Sequence, residues 1–291
     1  MIRKMLLLTS LYTLGFSSQY TETIHPEWHQ NFSVKKVFFQ EQTEHQDLIL
    51  FENEIFGRVL ALDGAIQVTE KDEFIYQEML AHVPLFAHGN VKKVLIIGGG
   101  DGGILREVLK HPGVEKATLV EIDNKVIEFS KTHLPFLSRG AFEDPRAQII
   151  IEDGCKYVKE TSELFDVIIC DSTDPMGAGA VLFTPEFYAD CHACLKERGI
   201  FVNQSGVPFM QPNEIVHVNK ALKKSFKHVN FYFVAVPTYV GGIMALGFAT
   251  DIAPSLNSQE VSAVHKDLKY YTPSIHKAAF AMPKFIMDLL Q

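Results

Sequence analysis

The residues that could do chemistry in this chain are acids placed where apolar runs end. In the stretch VLIIGGGDGGILREV (94–108), Val, Leu and Ile give way to glycines, and the glycines to a helical pattern. A strand, a glycine turn and a helix in that order can cradle a nucleotide, because backbone N–H groups and the helix N-terminus face the ligand. Here Asp101 stands inside the turn, between Gly98, Gly99 and Gly100 on one side and Gly102 and Gly103 on the other. A carboxylate at that place repels a phosphate and attracts a cation. Glu121 closes the next apolar run, about 20 residues on, where an acid commonly hydrogen-bonds a ribose hydroxyl. Asp153 and Gly154 follow the third run, and Asp171 and Asp174 the fourth. In a doubly wound sheet, ligands bind beyond the carboxyl ends of the strands, so these acids face one crevice.

The turn, Glu121 and Asp153 together point to an adenosine-type ligand. A dinucleotide would lay its pyrophosphate against Asp101, which disfavours an NAD-dependent dehydrogenase. S-adenosylmethionine brings a sulfonium and an ammonium, but also a carboxylate that Asp101 repels. The ligand that fits best carries adenosine, sulfonium and amine without the carboxylate, as decarboxylated S-adenosylmethionine does. Asp171 and Asp174 can bind a cationic amine, and one can assist its deprotonation. An aliphatic amine with a pKa near ~10.4 is protonated at neutral pH and lacks the lone pair that attack on carbon requires. Tyr76 and Tyr239 are candidates to help carry the proton. Residues 172–183 read as a long loop without much local order, able to close over a ligand. Bland readings stand beside these. Asp153 before GCKYVKE is a reasonable helix N-cap, Asp171 a helix or loop cap, and Asp174-Pro175 a turn initiator.

The elements that must position these acids follow from periodicity. Short runs rich in Val, Ile and Phe from about 31 to 68, with turn signals at Glu52–Asn53 and Asp63–Gly64, predict a small antiparallel β unit. Residues 72–87 carry apolar residues at helical spacing, with Asp72 as N-cap. Beyond Gly89–Asn90, strands are expected at Lys93–Ile97, Ala117–Ile122, Ala147–Ile151, Val167–Cys170 and Ile200–Gln204. Helices are expected at Ile104–Lys110, Lys125–Lys131, Gly154–Glu160, Glu186–Leu195 and Asn213–Ser225, with strand-like runs at Val229–Val236 and Ile243–Ala249. Near-continuous apolar strands require a parallel sheet buried on both faces, hence an α/β fold. The expected division is an extension at 1–19, a small β-strand domain at 20–75 and a Rossmann-like catalytic domain at 76–291.

A formal net charge of −8 argues against a nucleic-acid partner and is compatible with a cationic substrate. Cys191 and Cys194 form a lone C-x-x-C without the second pair a zinc site wants, so they, Cys155 and Cys170 read as reduced thiols. Residues 1–18 pair Arg3 and Lys4 with an apolar run from Met5 to Phe16, as a signal peptide does, but the run is short and no A-x-A site follows. The reading adopted is a cytoplasmic protein with an upstream extension and no membrane association; export is the competing reading.

The segments HQDLILFEN, LDGAIQVTEKDEFIYQEMLAHVPL, VLIIGGGDGGILREVLKHP, VEID, DSTDPMGAG, PTYVGGIM and KYYTPSIHKAAFAMPKF span roughly 45–285 and, as a set, closely resemble the spermidine synthases, which are aminopropyltransferases. The resemblance implies an N-terminal β-strand domain, a methyltransferase-like Rossmann domain, and a homodimer or homotetramer. It implies transfer of the aminopropyl group of decarboxylated S-adenosylmethionine to putrescine, giving spermidine and 5′-methylthioadenosine, with no metal or hydride cofactor. The family's nucleoside-binding glutamines fall on Gln46 and Gln77, its ribose-binding acid on Glu121, and its adenine-contacting acid on Asp153. The acid that meets the aminopropyl amine falls on Asp101, the central catalytic acid on Asp171, and a diamine-site acid on Asp174. Tyr76, Gln67 and Tyr239 match the residues lining the amine side. The sequence departs from the pattern before Tyr20 and at Ala178 and Ala180 of the loop. An S-adenosylmethionine-dependent diamine N-methyltransferase and a non-catalytic polyamine-binding protein are the alternative readings.

Overall fold

The computed structural model describes residues 18–43, 46–173, 177–253 and 265–291. Strands β1 (Ser18–Thr21) and β2 (Asn31–Val34) form an antiparallel pair with Ser18 opposite Val34. β1 thus begins inside the stretch expected to be an extension. Strands β3 (Lys36–Gln42), β4 (Asp47–Asn53), β5 (Gly57–Leu62) and β6 (Ala65–Thr69) follow as an antiparallel meander. Its turns follow from local chemistry. Asn53 ends β4, and its Oδ1 accepts the N–H groups of Ile55 and Phe56 at 2.9 and 3.0 Å. The turn therefore starts after Asn53, which directs it from the strand end. Asp63 and Gly64 both take positive φ, 48° and 84°, the backbone that joins two right-twisted strands in a two-residue loop. One face of the meander packs Leu48, Leu50 and Leu60 against Phe129, Leu134 and Leu137; the other packs Phe51, Val59 and Ala61 against Phe32 and Val34.

Helix α1 (Glu73–His88) is buried on nearly every side, from Ile75 through Phe86. That is the environment of a central helix, not of an amphipathic surface one. Asp72 holds the N-cap position but makes no cap hydrogen bond. Its carboxylate accepts from Thr69 Oγ1 at 2.6 Å and from Thr238 N and Oγ1 at 3.1 and 2.8 Å, joining the start of α1 to a loop far along the chain. The expected capping role is therefore replaced by a tertiary one. Midway along the helix, the buried carboxylate of Glu78 accepts three consecutive backbone N–H groups, those of Lys269, Tyr270 and Tyr271, each at 2.8 Å.

The rest alternates as its periodicity predicts. In order come β7 (Lys93–Gly98), α2 (Gly103–Leu109), β8 (Lys116–Glu121), α3 (Asn124–His133), the short α4 (Pro135–Ser138), β9 (Ala147–Ile151), α5 (Gly154–Glu160) and β10 (Phe165–Asp171). Next are α6 (Pro185–Ala193), β11 (Leu195–Gln204), α7 (Pro212–Leu222), β12 (His228–Ala235), β13 (Ile243–Thr250), α8 (Pro273–Ala279) and α9 (Lys284–Leu289). The seven strands lie in the order β12-β13-β11-β10-β7-β8-β9, with β13 antiparallel to both its neighbours and the rest parallel. Two expectations change. β11 starts at Leu195, which pairs with Phe165 ahead of an irregularity in the ladder. Gly177–Phe183, expected to lack local order, forms a 3-10 helix, and Phe183 at its end is buried. Asp174 lies outside the described residues. Among those residues, no helix is long and apolar enough to cross a membrane.

The Glu78 contact has a measurable weight. A charge-assisted hydrogen bond contributes about 1.5–3 kcal/mol, and an orphaned buried donor costs about 1–3. Glu78→Ala is expected to lower unfolding free energy in urea by about 3 kcal/mol or more, and Glu78→Gln, which keeps one acceptor, by less.

Candidate active site

The order of the sheet reverses at β7, whose neighbours are β8 on one side and β10 on the other. A crevice opens at such a switch point. Register places the acids there: Asp171 at the end of β10 pairs with Gly98 at the end of β7, and Glu121 at the end of β8 pairs with Ile151. A cavity of about 250 Å³ lies above these ends, and β6, α1 and the β1–β2 connection complete its wall. Gln46, Gln67, Tyr76, Gln77, Gly98, Gly100, Asp101, Glu121, Asp153, Gly154, Asp171 and Tyr239 all line it. The structure thus brings together every site residue expected from the sequence except Asp174.

The turn is shaped by its neighbours. Gly98 has φ 78°, and a Cβ there would collide with the Asp171 carbonyl. At Gly100 a Cβ would come within 2.8 Å of Glu121 Oε2. Asp101 Oδ1 accepts the Gly103 N–H at 2.7 Å, at the start of α2, while Gln77 Nε2 donates to Oδ2 at 3.4 Å. Burial pushes the Asp101 carboxyl up to about 6 against these donors and the Arg106 charge. Glu121 is also buried, which raises its pKa, although Oε1 accepts the Asp123 N–H at 3.0 Å. Asp153 is exposed and does what the bland reading asked: Oδ1 caps α5 through the Cys155 N–H at 2.8 Å. It nevertheless borders the cavity.

On the opposite wall, Tyr76 donates its hydroxyl to Asp171 Oδ1 at 2.8 Å. Burial and the Asp171 charge hold the Tyr76 pKa well above its usual 10, so the phenol stays a donor. Asp171 is pushed up to about 7, first by burial and then by the charge of Asp101, with the Tyr76 hydrogen bond opposing. Tyr239 meets Tyr76 edge-on, ring centroids 5.9 Å apart, and its hydroxyl donates to the Gln67 carbonyl at 2.8 Å. The Gln46 side chain enters from the loop before β4, where its backbone N–H bonds Thr43 Oγ1 at 3.1 Å.

Glu22 and Gln204 are wall residues that escaped sequence reasoning. Glu22 follows β1, is 4% exposed, and accepts the Ile66 N–H and the Gln30 amide at 2.8 Å each. Its polar neighbourhood carries no apolar period to mark it. Gln204 ends β11 and ties the wall together, donating to the Thr173 carbonyl at 3.1 Å and accepting from Gly206 N at 2.9 Å. Reading the fifth strand end as the first four were read would have found it. The lining contains Glu22, Asp63, Asp72, Glu73, Asp101, Glu121, Asp153 and Asp171, and among the described residues no Lys or Arg. Such a cavity selects cations.

Comparison with known proteins agrees with this geometry. Residues 73–253 match the model of the spermine/spermidine synthase domain, and residues 19–70 that of the spermidine synthase tetramerisation domain. The chain belongs to the spermidine synthase family. Polyamine aminopropyltransferases of Serratia proteamaculans (strain 568) and Pectobacterium carotovorum subsp. carotovorum (strain PC1) are each 51% identical to it, over 92% and 93% of this chain and 96% of theirs. The spermidine synthase of Thermotoga maritima superposes with a TM-score of 0.89 at 44% identity, covering 94% of both chains. A spermidine synthase solved with the transition state analogue AdoDATO superposes at 0.90, with the same identity and coverage. The protein is therefore an enzyme, an aminopropyltransferase by family. The dehydrogenase and non-catalytic readings fall with that finding.

The raised carboxyl pKa values of this aminopropyltransferase carry a signed consequence. Asp171 and Asp101 hold their protons more tightly folded than unfolded, where about 3.8 applies. Stability therefore falls as pH rises from about 4 to about 7, and the cost is complete above that. Asp171→Asn removes its share. The variant is expected to melt above the parent at pH 8, with the gap closing towards pH 4; a variant that melts lower at pH 8 would contradict the assignment.

Proposed function

We propose that the enzyme transfers the aminopropyl group of decarboxylated S-adenosylmethionine to putrescine, giving spermidine and 5′-methylthioadenosine. One observation carries this reading: a single acid-lined cavity without Lys or Arg among the described residues, with Asp101 on the glycine turn and Asp171 across from it. Glu121 and Asp153 suit the ribose and adenine, Gln46 and Gln77 the nucleoside, and Gly98, Gly100 and Gly154 let it approach the backbone. Asp101 takes the aminopropyl ammonium and disfavours a donor that keeps its carboxylate, which is why the N-methyltransferase reading ranks second. Gln67, Tyr239 and Asp174 belong to the diamine side.

The reaction is one in-line displacement. The amine lone pair forms a bond to the carbon beside sulfur, the C–S bond breaks, and its electrons neutralise the sulfonium to a thioether. That leaving group needs no acid, and the chemistry calls on no metal or redox cofactor. The protein's task is to hold amine and carbon in near-attack geometry and to take a proton. Asp171 is suited to it. With a carboxyl near 7 it lies about 3 units below an amine of pKa ~10.4, and desolvation beside a sulfonium narrows that gap further. Tyr76, held protonated, fixes Oδ1 and orients the carboxylate. The match of residues 19–70 to a tetramerisation domain supports a homotetramer, with a homodimer as the smaller assembly.

Incubation with putrescine and either donor, read by mass, tests the reaction. Spermidine and methylthioadenosine are expected from the decarboxylated donor alone; methylated putrescine from the intact one would move the enzyme to the methyltransferase class. Because Asp171 must be ionised, kcat/KM for putrescine is expected to fall about tenfold per pH unit below about 7. Asp171→Asn should lose that limb and about 10²–10⁴ in turnover, with donor affinity nearly unchanged. A loss below about tenfold would count against its role.

A further inference from the structure

Two consecutive residues of α1 hold the two facing acids of the cavity: Tyr76 donates to Asp171 and Gln77 to Asp101. The two contacts differ in kind. A phenol offers its hydroxyl in any rotation, whereas the Gln77 amide has an oxygen end and a nitrogen end, and only the nitrogen end can donate to a carboxylate. Arg106 on α2 decides which end faces which way. Its guanidinium only donates, and Nη2 lies 2.9 Å from Gln77 Oε1. The amide oxygen must therefore point to Arg106, and the NH₂ group to Asp101. Arg106 is itself fixed, only 8% exposed. Nε donates to Glu107 at 2.6 Å, Nη2 also to Glu73 at 2.8 Å, and Nη1 to the Leu137 carbonyl at 2.6 Å. Glu107 is held in turn by His82 at 2.9 Å and Lys110 at 2.7 Å.

We propose that Arg106 is a positioning residue for the amine of the nucleoside co-substrate: by fixing the polarity of the Gln77 amide, it keeps the Asp101 carboxylate aimed at a cationic amine. The inference rests on the reading that an amine-bearing sulfonium nucleoside occupies this cavity. A reversed amide would set its carbonyl oxygen against the carboxylate and turn attraction into repulsion. Arg106 does this without reaching the cavity wall, which holds Gln77 and Asp101 but not Arg106.

The test separates the amine from the rest of the ligand. Binding of decarboxylated S-adenosylmethionine and of methylthioadenosine, which keeps the nucleoside and lacks the amine, is measured by calorimetry on the full chain. The proteins are wild type, Arg106→Lys and Gln77→Met. Arg106→Lys keeps the charge beside Glu73 and Glu107 but loses the fork that reaches Gln77. Gln77→Met removes the donor to Asp101 and leaves those ion pairs in place, so it decides the matter if the first variant does not fold. Both variants are expected to bind the amine-bearing ligand about tenfold more weakly, one charge-assisted hydrogen bond's worth. Methylthioadenosine is expected within about twofold of wild type for Arg106→Lys, and for Gln77→Met, which also removes a nucleoside contact, to weaken clearly less than the amine-bearing ligand. The KM for the donor should rise accordingly while that for the acceptor stays. Equal losses for both ligands, as a merely structural role would give, or no loss for the donor, would overturn the inference. So would a wild type that does not prefer the amine-bearing ligand. Failure to form spermidine would instead sink the reaction proposed above, and the binding ratio would still judge Arg106.

Discussion

Two carboxylates share one buried cavity, and that is the constraint around which the structure is organised. Like charges in a medium of low dielectric repel strongly, and each is further penalised by the loss of water. Burial raises both, Asp171 to about 7 with the charge of Asp101 adding to it, and Asp101 to about 6 with the charge of Glu73 adding. Among the described residues, no Lys or Arg of the wall neutralises them. The protein surrounds them with neutral donors, the Gly103 N–H, the Gln77 amide and the Tyr76 phenol, which orient the charges without cancelling them. A cationic ligand then finds a field that Arg106, behind the wall, offsets only in part, and its arrival relieves a cost the empty enzyme carries. The cost to stability and the affinity for substrate are two sides of one arrangement.

Helix α1 makes the arrangement possible. A buried helix can offer different faces to several partners, and this one does. Glu73 reaches Arg106, Tyr76 and Gln77 reach the acids, Glu78 the C-terminal segment, and His82 the Glu107 carboxylate. Its start is fixed by Asp72 to Thr238 rather than by a local cap. The glycine turn, the ends of β7 and β10, and α1 are thereby one mechanical unit, and the small β-strand sheet closes it through Gln46 and Gln67.

Much of this was legible in the sequence for a simple reason. Central parallel strands are apolar on both faces, so an acid directly after each run stands out, and the topology forces those ends together. Asp101, Glu121, Asp153 and Asp171 were found that way. Gln46, Gln67 and Gln77 came only from resemblance, and Tyr76 and Tyr239 were candidates that spacing alone did not select, because all five sit in elements whose facing the sequence does not state. What stayed hidden has physical causes. Glu22 lies in a polar stretch whose burial depends on contacts with residues 44 positions away, as its bond to Ile66 N shows. Asp72 reads as a cap because its neighbours are right, yet its partner is 166 positions off. Arg106 looks like any charged residue on a short helix; only the packing of α1 on α2 buries it. The 3-10 helix at 177–183 begins with four small residues and is too short to carry a pattern that announces it.

The nest around Glu78 also says something about time. Its three N–H partners lie 191 to 193 residues further along the chain. While the polypeptide is being made, α1 is among the earlier elements of the sheet domain to leave the ribosome, and it emerges with a buried-type carboxylate that has nothing to bind. Contacts of such long sequence separation close late. The helix that carries Tyr76 and Gln77 is therefore fully seated only once Lys269, Tyr270 and Tyr271 have been synthesised. The enzyme's acids come under control well after they are made, a built-in delay between having the catalytic residues and having the catalyst.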